Sequence, residues 1–479
     1  MAATILRHIH FFVFGALLMV MQGCSSESDN TSTESAVTSP PLIAPESKEN
    51  SVIPITYKTL YQQPFLGIGG EWDTYSYTNN SPSEDDFNTI KARVSWMRPG
   101  LVRIMILTQW YYNNGHYNWD SPAMQQLYRV LDYCQSQNIT VILTDWGVGT
   151  PGQPERDWLK TPGIESITDP NYASAISASL NYLIHPKGYN TIRYFVMGNE
   201  PNLEVVDWNS WKEALLQTKI ALDSLMQSTD LTLMGSDESG DPRWHEGAVD
   251  YLHDTLGAYD YHGYPDDTLV REGAVEDLVL AKNQYVLTND PAGASKPVVL
   301  TEAGVTPLTL MDEFDYGVKM ADFAIQAMNA GISGISAWML DDNSYPGFNN
   351  GMWRNSNQGL TVRPWYYLWA TLSRSVPKGS YIFNVTSTEP LFRLTAAQLP
   401  ESGWTIAAVN RSTAPIRFSL QLPESNTRQF SHYLYSEGIY KLSNSSLPLP
   451  TETIDYDLAT PIAYTLPGNS ALVITTVLP

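Results

Sequence analysis

Between Phe65 and Val376 a short apolar run, a polar turn and a helix-like stretch recur, and this recurrence leaves few architectures open. The runs are FLGIGG (from Phe65), LVRIMIL (Leu101), ITVILTD (Ile139), IRYFVMG (Ile192), LTLMGS (Leu231), AYDYHG (Ala258), VVLTEAG (Val298) and ISGISAWML (Ile332), eight in all. Helical patterns lie between them. PAMQQLYRVLDYCQSQN sets Met124, Leu127, Leu131 and Cys134 along one side, and NSWKEALLQTKIALDSLM and FDYGVKMADFAIQAMNAG repeat the pattern, with Gly331 as a stop signal. Near-continuous apolar strands alternating with amphipathic helices predict a parallel sheet covered by helices, and eight such units predict an α/β fold of the (β/α)8 barrel type. The competing architecture is a doubly wound open sheet, which no GxGxxG or P-loop fingerprint supports.

After Val376 the texture changes. TIAAVNRS, IRFSLQLP, SHYLYSEGIY and SALVITTVLP are short alternating strands separated by Pro, Ser and Asn, which predict an antiparallel β-sandwich over 377–479. The barrel is expected over 52–376, with its first residues, 52–62 and the segment SVIPITYKT that begins at Ser51, adding a strand to the sandwich. The first residues stand apart. Arg7 precedes an apolar run, Phe11 to Met21, too short to span a bilayer as a stable helix. That run ends in Met21-Gln22-Gly23-Cys24, which resembles the lipobox of bacterial lipoproteins. The resemblance implies a signal peptide over 1–23, lipidation of Cys24, and membrane attachment through that lipid. Ser25 and Ser26, with no Asp after the cysteine, favour the outer membrane; which side of it the protein faces stays open. The alternative is an ordinary secretory signal with an incidental cysteine. Residues 24–51 are rich in Ser, Thr, Glu, Asn and Pro, and read as a disordered tether.

The chain holds 2 cysteines, so Cys134 has no disulfide partner besides Cys24 and reads as an inert core residue. Removal of Arg7 with the signal takes the net charge from −22 to −23, which argues against nucleic acid and against electrostatic capture of polyanions. No obligate protein partner is evident. The 14 Trp and 28 Tyr suit the flat faces of sugars, but they suit ordinary cores equally.

Barrel active sites gather at the C-terminal ends of the strands. Glu71, Asp145, Glu200, Asp237, Glu238, Glu302, Asp341 and Asp342 occupy such ends, and most are expected to cap the following helix. Two stand out. Glu200 closes YFVMGNEPN after the fourth strand and Glu302 follows VVLT in the seventh, each directly after an apolar run where an unpaired charge is costly. Strands four and seven lie across the ring from each other, so the two carboxylates can face one another over the mouth. Glycosidic hydrolysis requires such a pair, one group to protonate the leaving oxygen and one to attack carbon or activate water. The alternative is that both are helix caps or barrel ion pairs.

Asn199-Glu200 and the strand-seven Glu302 resemble clan A of the glycoside hydrolases, retaining (β/α)8 enzymes, over the whole barrel. The resemblance implies that Glu200 is the acid/base, that Asn199 bonds the sugar 2-hydroxyl, and that Glu302 is the nucleophile. It further implies that Arg103 contacts the nucleophile, that His262 and Tyr264 form the strand-six His-x-Tyr whose Tyr bonds the nucleophile, and that Trp338 floors the sugar site. Trp338 as core filler and His262 as a structural histidine remain the alternatives. Trp146 and Trp72 are candidate sugar platforms. The sandwich beside the barrel is reminiscent of families 30, 39 and 51, with family 5 also similar, and the match settles on none of them.

The implied reaction is two-step cleavage of β-glycosidic bonds in a polysaccharide or oligosaccharide, with no cofactor and no metal. Glu302, held ionised by Arg103 and Tyr264, attacks the anomeric carbon while Glu200 protonates the departing oxygen; Glu200 then activates water. The charge of Glu302 is expected to raise the pKa of Glu200. A metal-dependent barrel hydrolase would want His-x-His near the first strand, and the triplet His8-Ile9-His10 lies in the signal. A non-catalytic glycan-binding lipoprotein on a retired barrel is the other reading. The insert GVGTPGQPERDWLKTPGIESITDP after strand three is expected to wall the cleft.

Overall fold

The computed structural model describes residues 48–54 as backbone, and 64–148, 158–203, 207–342 and 349–478. Cys24, the signal, most of the tether and the middle of the strand-three insert lie outside the described residues.

Eight parallel strands close into a barrel in chain order: Ile68–Glu71, Leu101–Ile106, Thr140–Asp145, Ile192–Met197, Thr232–Ser239, Ala258–Gly263, Val298–Ala303 and Gly334–Ala337. They are the eight apolar runs of the sequence. Strand burial is nearly complete because the inner face meets the barrel core and the outer face meets helices. Glycines appear in the first strand for a steric reason. A Cβ on Gly69 would lie 1.7 Å from the carbonyl oxygen of Leu101 in the neighbouring strand.

The intervening helices follow their sequence signals. Pro122–Gln137 starts at Ser121, whose hydroxyl accepts from the backbone N–H of Met124, with Pro in the first turn; Met124, Leu127, Leu131 and Cys134 are all buried. Phe314–Asn329 ends just before Gly331, which takes a left-handed φ of 82°. The expectation that most strand-end acids cap helices is overturned. Side-chain caps come instead from Ser83, Ser121, Asp169, Asp207, Asp241 and Asp266, which lie farther along the connections.

The C-terminal part is a sandwich. Its six-stranded antiparallel sheet runs in the order Tyr381–Val385, Phe392–Gln398, Trp404–Asn410, Ser470–Thr475, Thr427–Tyr435, Glu452–Asp457. Facing it is a three-stranded sheet of Lys48–Pro54, Ile416–Gln421 and Ile462–Leu466, whose first strand lies parallel to the second. That strand begins at Lys48, inside the segment whose composition reads as a tether. Phe392, Leu394, Phe418, Leu420, Phe430 and Ile474 fill the space between the sheets.

The sandwich is not an appendage on a linker. Pro45–Pro479 is one compact unit, and Ala397, Ala407, Val409, Tyr433, Tyr435 and Val473 belong to the same apolar core as the barrel. Polar ties reinforce that seam. Nη1 of Arg393 donates to both oxygens of Asp322, at 3.0 and 3.2 Å, and Nη2 of Arg411 donates to Asp267 at 2.5 Å. Among the described residues no helix is long and apolar enough to cross a membrane.

Candidate active site

Arg103 is the hub of the C-terminal mouth. It extends inward from the second strand, fully buried, and each nitrogen of its guanidinium has a partner from a different strand. Nε donates to Thr144 at 3.1 Å, Nη1 to Glu71 at 2.9 Å and also to Glu302, and Nη2 to Asp237 at 2.7 Å and to Oδ1 of Asn199 at 3.0 Å. Burial alone would lower the pKa of Arg103, but Asp237, Glu302 and Glu71 outweigh it and raise it. Such a fork is the geometry for which Arg, not Lys, is suited.

Glu302 sits deep, 5% exposed, between donors. Arg103 bonds Oε1, and the hydroxyl of Tyr264 donates to Oε2 at 2.5 Å. Glu200 is more open, with 23% of its side chain exposed. The sequence Gly198-Asn199-Glu200 makes that placement possible. Gly198 has φ 85° and Glu200 φ 41°, so the chain turns through left-handed backbone as it leaves the strand. The turn is fixed by the N–H of Gly198 on the carbonyl of Asp145 at 3.0 Å and by Leu203 N–H on the carbonyl of Glu200 at 2.8 Å.

His262 stands between the two carboxylates. Its Nδ1 lies 2.9 Å from Oε1 of Glu200 and 3.4 Å from Oε2 of Glu302, while Nε2 lies 3.1 Å from Oδ1 of Asp237. Burial would lower its pKa, but Glu302 and Asp237 raise it well above the ordinary value. One expectation therefore needs correction. Burial works to raise the pKa of Glu200, yet His262 overcomes it and holds the carboxyl below the usual range, whereas burial leaves Glu302 raised despite His262 and Arg103. His262, rather than Glu302, is the neighbour that shifts Glu200 most after burial.

Burial also raises Glu71 and Asp260 well above ordinary carboxylates. Arg103 and His262 are the basic side chains set against Asp237, Glu200 and Glu302. Oxygens of Glu200 and Glu302 and a nitrogen of His262 lie within 4.8 Å of one another. That spacing alone would admit a cation. The donor set does not suit one, because His262 Nδ1 is committed to Glu200 and the Arg103 guanidinium already sits on Glu302.

Trp338, 6% exposed, lies at the end of the eighth strand with its backbone N–H on the carbonyl of Ala303. Trp146 follows the third strand, 7% exposed and edge-on to Trp158 at 5.0 Å. Trp72 is not a sugar platform. It is fully buried, packed on Phe87 and Tyr133, and its Nε1 donates to Tyr77, whose hydroxyl donates to Asp341 at 2.6 Å. Asp237 and Glu71, which as strand-end acids read as helix caps, instead point inward onto Arg103.

Comparison with solved structures places this geometry among known folds. The chain is similar to glycosidases. A family 30 endoxylanase from Clostridium papyrosolvens matches with a TM-score of 0.63 at 12% identity, over 89% of this chain and 99% of that one. A monomeric β-xylosidase from Caulobacter crescentus gives 0.61 at 14%, over 89% and 99%. A family 51 α-L-arabinofuranosidase from Bifidobacterium longum gives 0.59 at 12%, over 88% and 99%. At such identities the likeness is one of fold. No family model matches the chain, and no curated protein matches it in sequence.

Proposed function

We propose that the protein is a retaining glycoside hydrolase that cleaves β-glycosidic bonds of an oligosaccharide or polysaccharide, with Glu302 as nucleophile and Glu200 as acid/base. The observation that carries this reading is that two carboxylates from opposite sides of the ring, Glu200 and Glu302, meet over the mouth with an oxygen of each within 4.8 Å of the other. Retaining enzymes hold their carboxyl groups about 5–5.5 Å apart and inverting enzymes about 6.5–9.5 Å, so a close pair is what the two-step route requires, and the anomeric outcome is the test of it. The neighbours of each carboxylate support the role assignment. Glu302 is buried and accepts from Arg103 and Tyr264, which aim one oxygen and stabilise the charge as it leaves on deglycosylation. Glu200 reaches solvent, as a group that exchanges protons with leaving group and water must.

In the first step Glu302 bonds the anomeric carbon as the glycosidic bond breaks, and the departing oxygen takes a proton from Glu200. In the second, water replaces Glu302 and gives its proton to Glu200. His262 holds the Glu200 carboxyl below the usual range, and its Nδ1, 2.9 Å away, is the neighbour from which a proton can reach Glu200.

A panel of polysaccharides and aryl glycosides tests the reading, with anomeric configuration followed by NMR. Reducing ends released first as the β-anomer from a β-glycoside support it; an initially inverted product contradicts it, and binding with no release favours the glycan-binding alternative. The lipobox adds a proposed lipid anchor at Cys24, on the outer membrane of a bacterium. Fatty-acid labelling that persists in Cys24→Ser would remove that part.

A further inference from the structure

Asp237 is a buried acid at the end of the fifth strand, where the backbone takes a left-handed φ of 55°. Neither of its oxygens is idle. Oδ1 accepts from His262 Nε2 at 3.1 Å and from the hydroxyl of Thr301 at 3.2 Å. Oδ2 accepts from Arg103 at 2.7 Å and from the backbone N–H of Glu200 at 3.3 Å. One carboxylate thus touches the arginine that holds the proposed nucleophile, the imidazole between the two carboxylates, and the turn that carries the proposed acid. Its own backbone N–H is fixed on Asp260 at 2.9 Å.

The consequence lies in the imidazole. The Asp237 carboxylate, tied to Arg103, can only accept, so Nε2 carries a proton and the hydrogen bond between Nδ1 and Glu200 holds one further proton that either partner can carry. The groups on the ring come from three strands, Glu200 after strand four, Asp237 from strand five and Glu302 from strand seven, with Tyr264 edge-on to it. Arg103, Asp260 and Thr301 stand one contact farther out, on Asp237 or Glu302, and Glu71 lies beyond Arg103. Of these, Asp237 is the partner of Nε2.

We propose that Asp237 is a positioning residue that, by holding Nε2–H, keeps the Nδ1 proton of His262 aimed at Glu200 and makes His262 the store from which Glu200 draws the catalytic proton. The proton passes from Nδ1 to Oε1 of Glu200 and on to the glycosidic oxygen, which keeps the electron pair of the broken C1–O bond as Glu302 forms the new one. In the second step water bonds C1, the Glu302–C1 bond breaks back to the carboxylate, and the proton of water returns through Glu200 to Nδ1. Between the steps the ring is neutral with its proton on Nε2, the tautomer that Asp237 selects. The directions of the shifts agree, His262 raised and Glu200 lowered.

The catalytic consequence rests on the glycosidase reading, so the test has two readouts. The first is the titration of the His262 ring in the full chain labelled with ¹⁵N-histidine, its signals assigned by their loss in His262→Gln. In the wild type both ring nitrogens should stay protonated well above about pH 6.5, the ordinary histidine value. In Asp237→Asn the titration should fall by about 1–3 pH units, the usual effect of a neighbouring opposite charge. The second is the alkaline limb of kcat/KM on a glycoside with a poor leaving group. It should move to lower pH in Asp237→Asn, whatever the fall in rate.

A wild-type ring that titrates near pH 6.5 overturns the proposal, even if Asp237→Asn does not fold. So does a folded Asp237→Asn that loses thermal stability but leaves the ring titration and the limb where they were. If the titration moves as expected but the wild type hydrolyses nothing on the panel, the wiring of Asp237 to His262 stands and the glycosidase reading falls.

Discussion

The side-chain oxygen of Asn199 is taken by Arg103, which donates to it at 3.0 Å, so the amide orientation of Asn199 is fixed from below. Its Nδ2 donates to no described residue. An N–H so oriented can serve a sugar hydroxyl but not accept from one.

Asn199→Ala should therefore reduce kcat more than it raises KM. A contact to the 2-hydroxyl tightens in the transition state, and such hydrogen bonds supply several kcal/mol to glycosidases. A fall of about 10²-fold or more in kcat is expected, the scale set by removal of a single preorganised donor. Steady-state kinetics decides it: unchanged kcat with raised KM would make Asn199 a uniform binding contact.

Glu200→Ala should separate substrates by leaving group. On a poor leaving group the loss should be about 10²–10⁴-fold, the usual contribution of general acid–base help. On an activated aryl glycoside the first step needs no proton, and azide should rescue turnover to a glycosyl azide of retained configuration. Rescue with inversion would place the nucleophile at Glu200 instead.

The seam between barrel and sandwich carries a separate prediction. Asp322 is fully buried, and its direct partners across the seam are Arg393, and Arg411 at 3.8 Å. Arg393→Ala leaves that carboxylate poorly compensated and should destabilise the folded chain by about 3 kcal/mol, within the range for breaking a buried pair. Denaturant titration measures it, and activity per folded molecule should be unchanged. A loss below about 1 kcal/mol would mean that Asp322 is neutral or satisfied by Arg411 alone.

The sequence was informative where pattern and chemistry coincide. Apolar runs such as ITVILTD give the barrel because a strand buried on both faces has little choice of residue. Glu200 and Glu302 could be singled out because they break such runs. Asp237 was harder to see, since an acid after LTLMGS reads equally as a helix cap until the strand is known to continue through Ser239. A signal was present nonetheless. Asp260 and His262 share strand parity in AYDYHG, so both face inward, and with Arg103 inside the barrel the inward charges had to form one network. Trp72 misled for the opposite reason: a tryptophan after a strand-end acid has the composition of a sugar platform, but its burial depends on Tyr77, Phe87 and Tyr133, which come from three other segments.

The central claim is that Glu302 becomes covalently attached to the sugar. A panel of 2-deoxy-2-fluoro glycosides with good leaving groups tests it most directly, because the fluorine slows hydrolysis of the intermediate. Intact-mass spectrometry should show one sugar added per chain, and peptide mapping should place it on Glu302, with no label in Glu302→Ala. A label on Glu200, or steady turnover of a natural β-glycoside to an inverted product, would contradict the account.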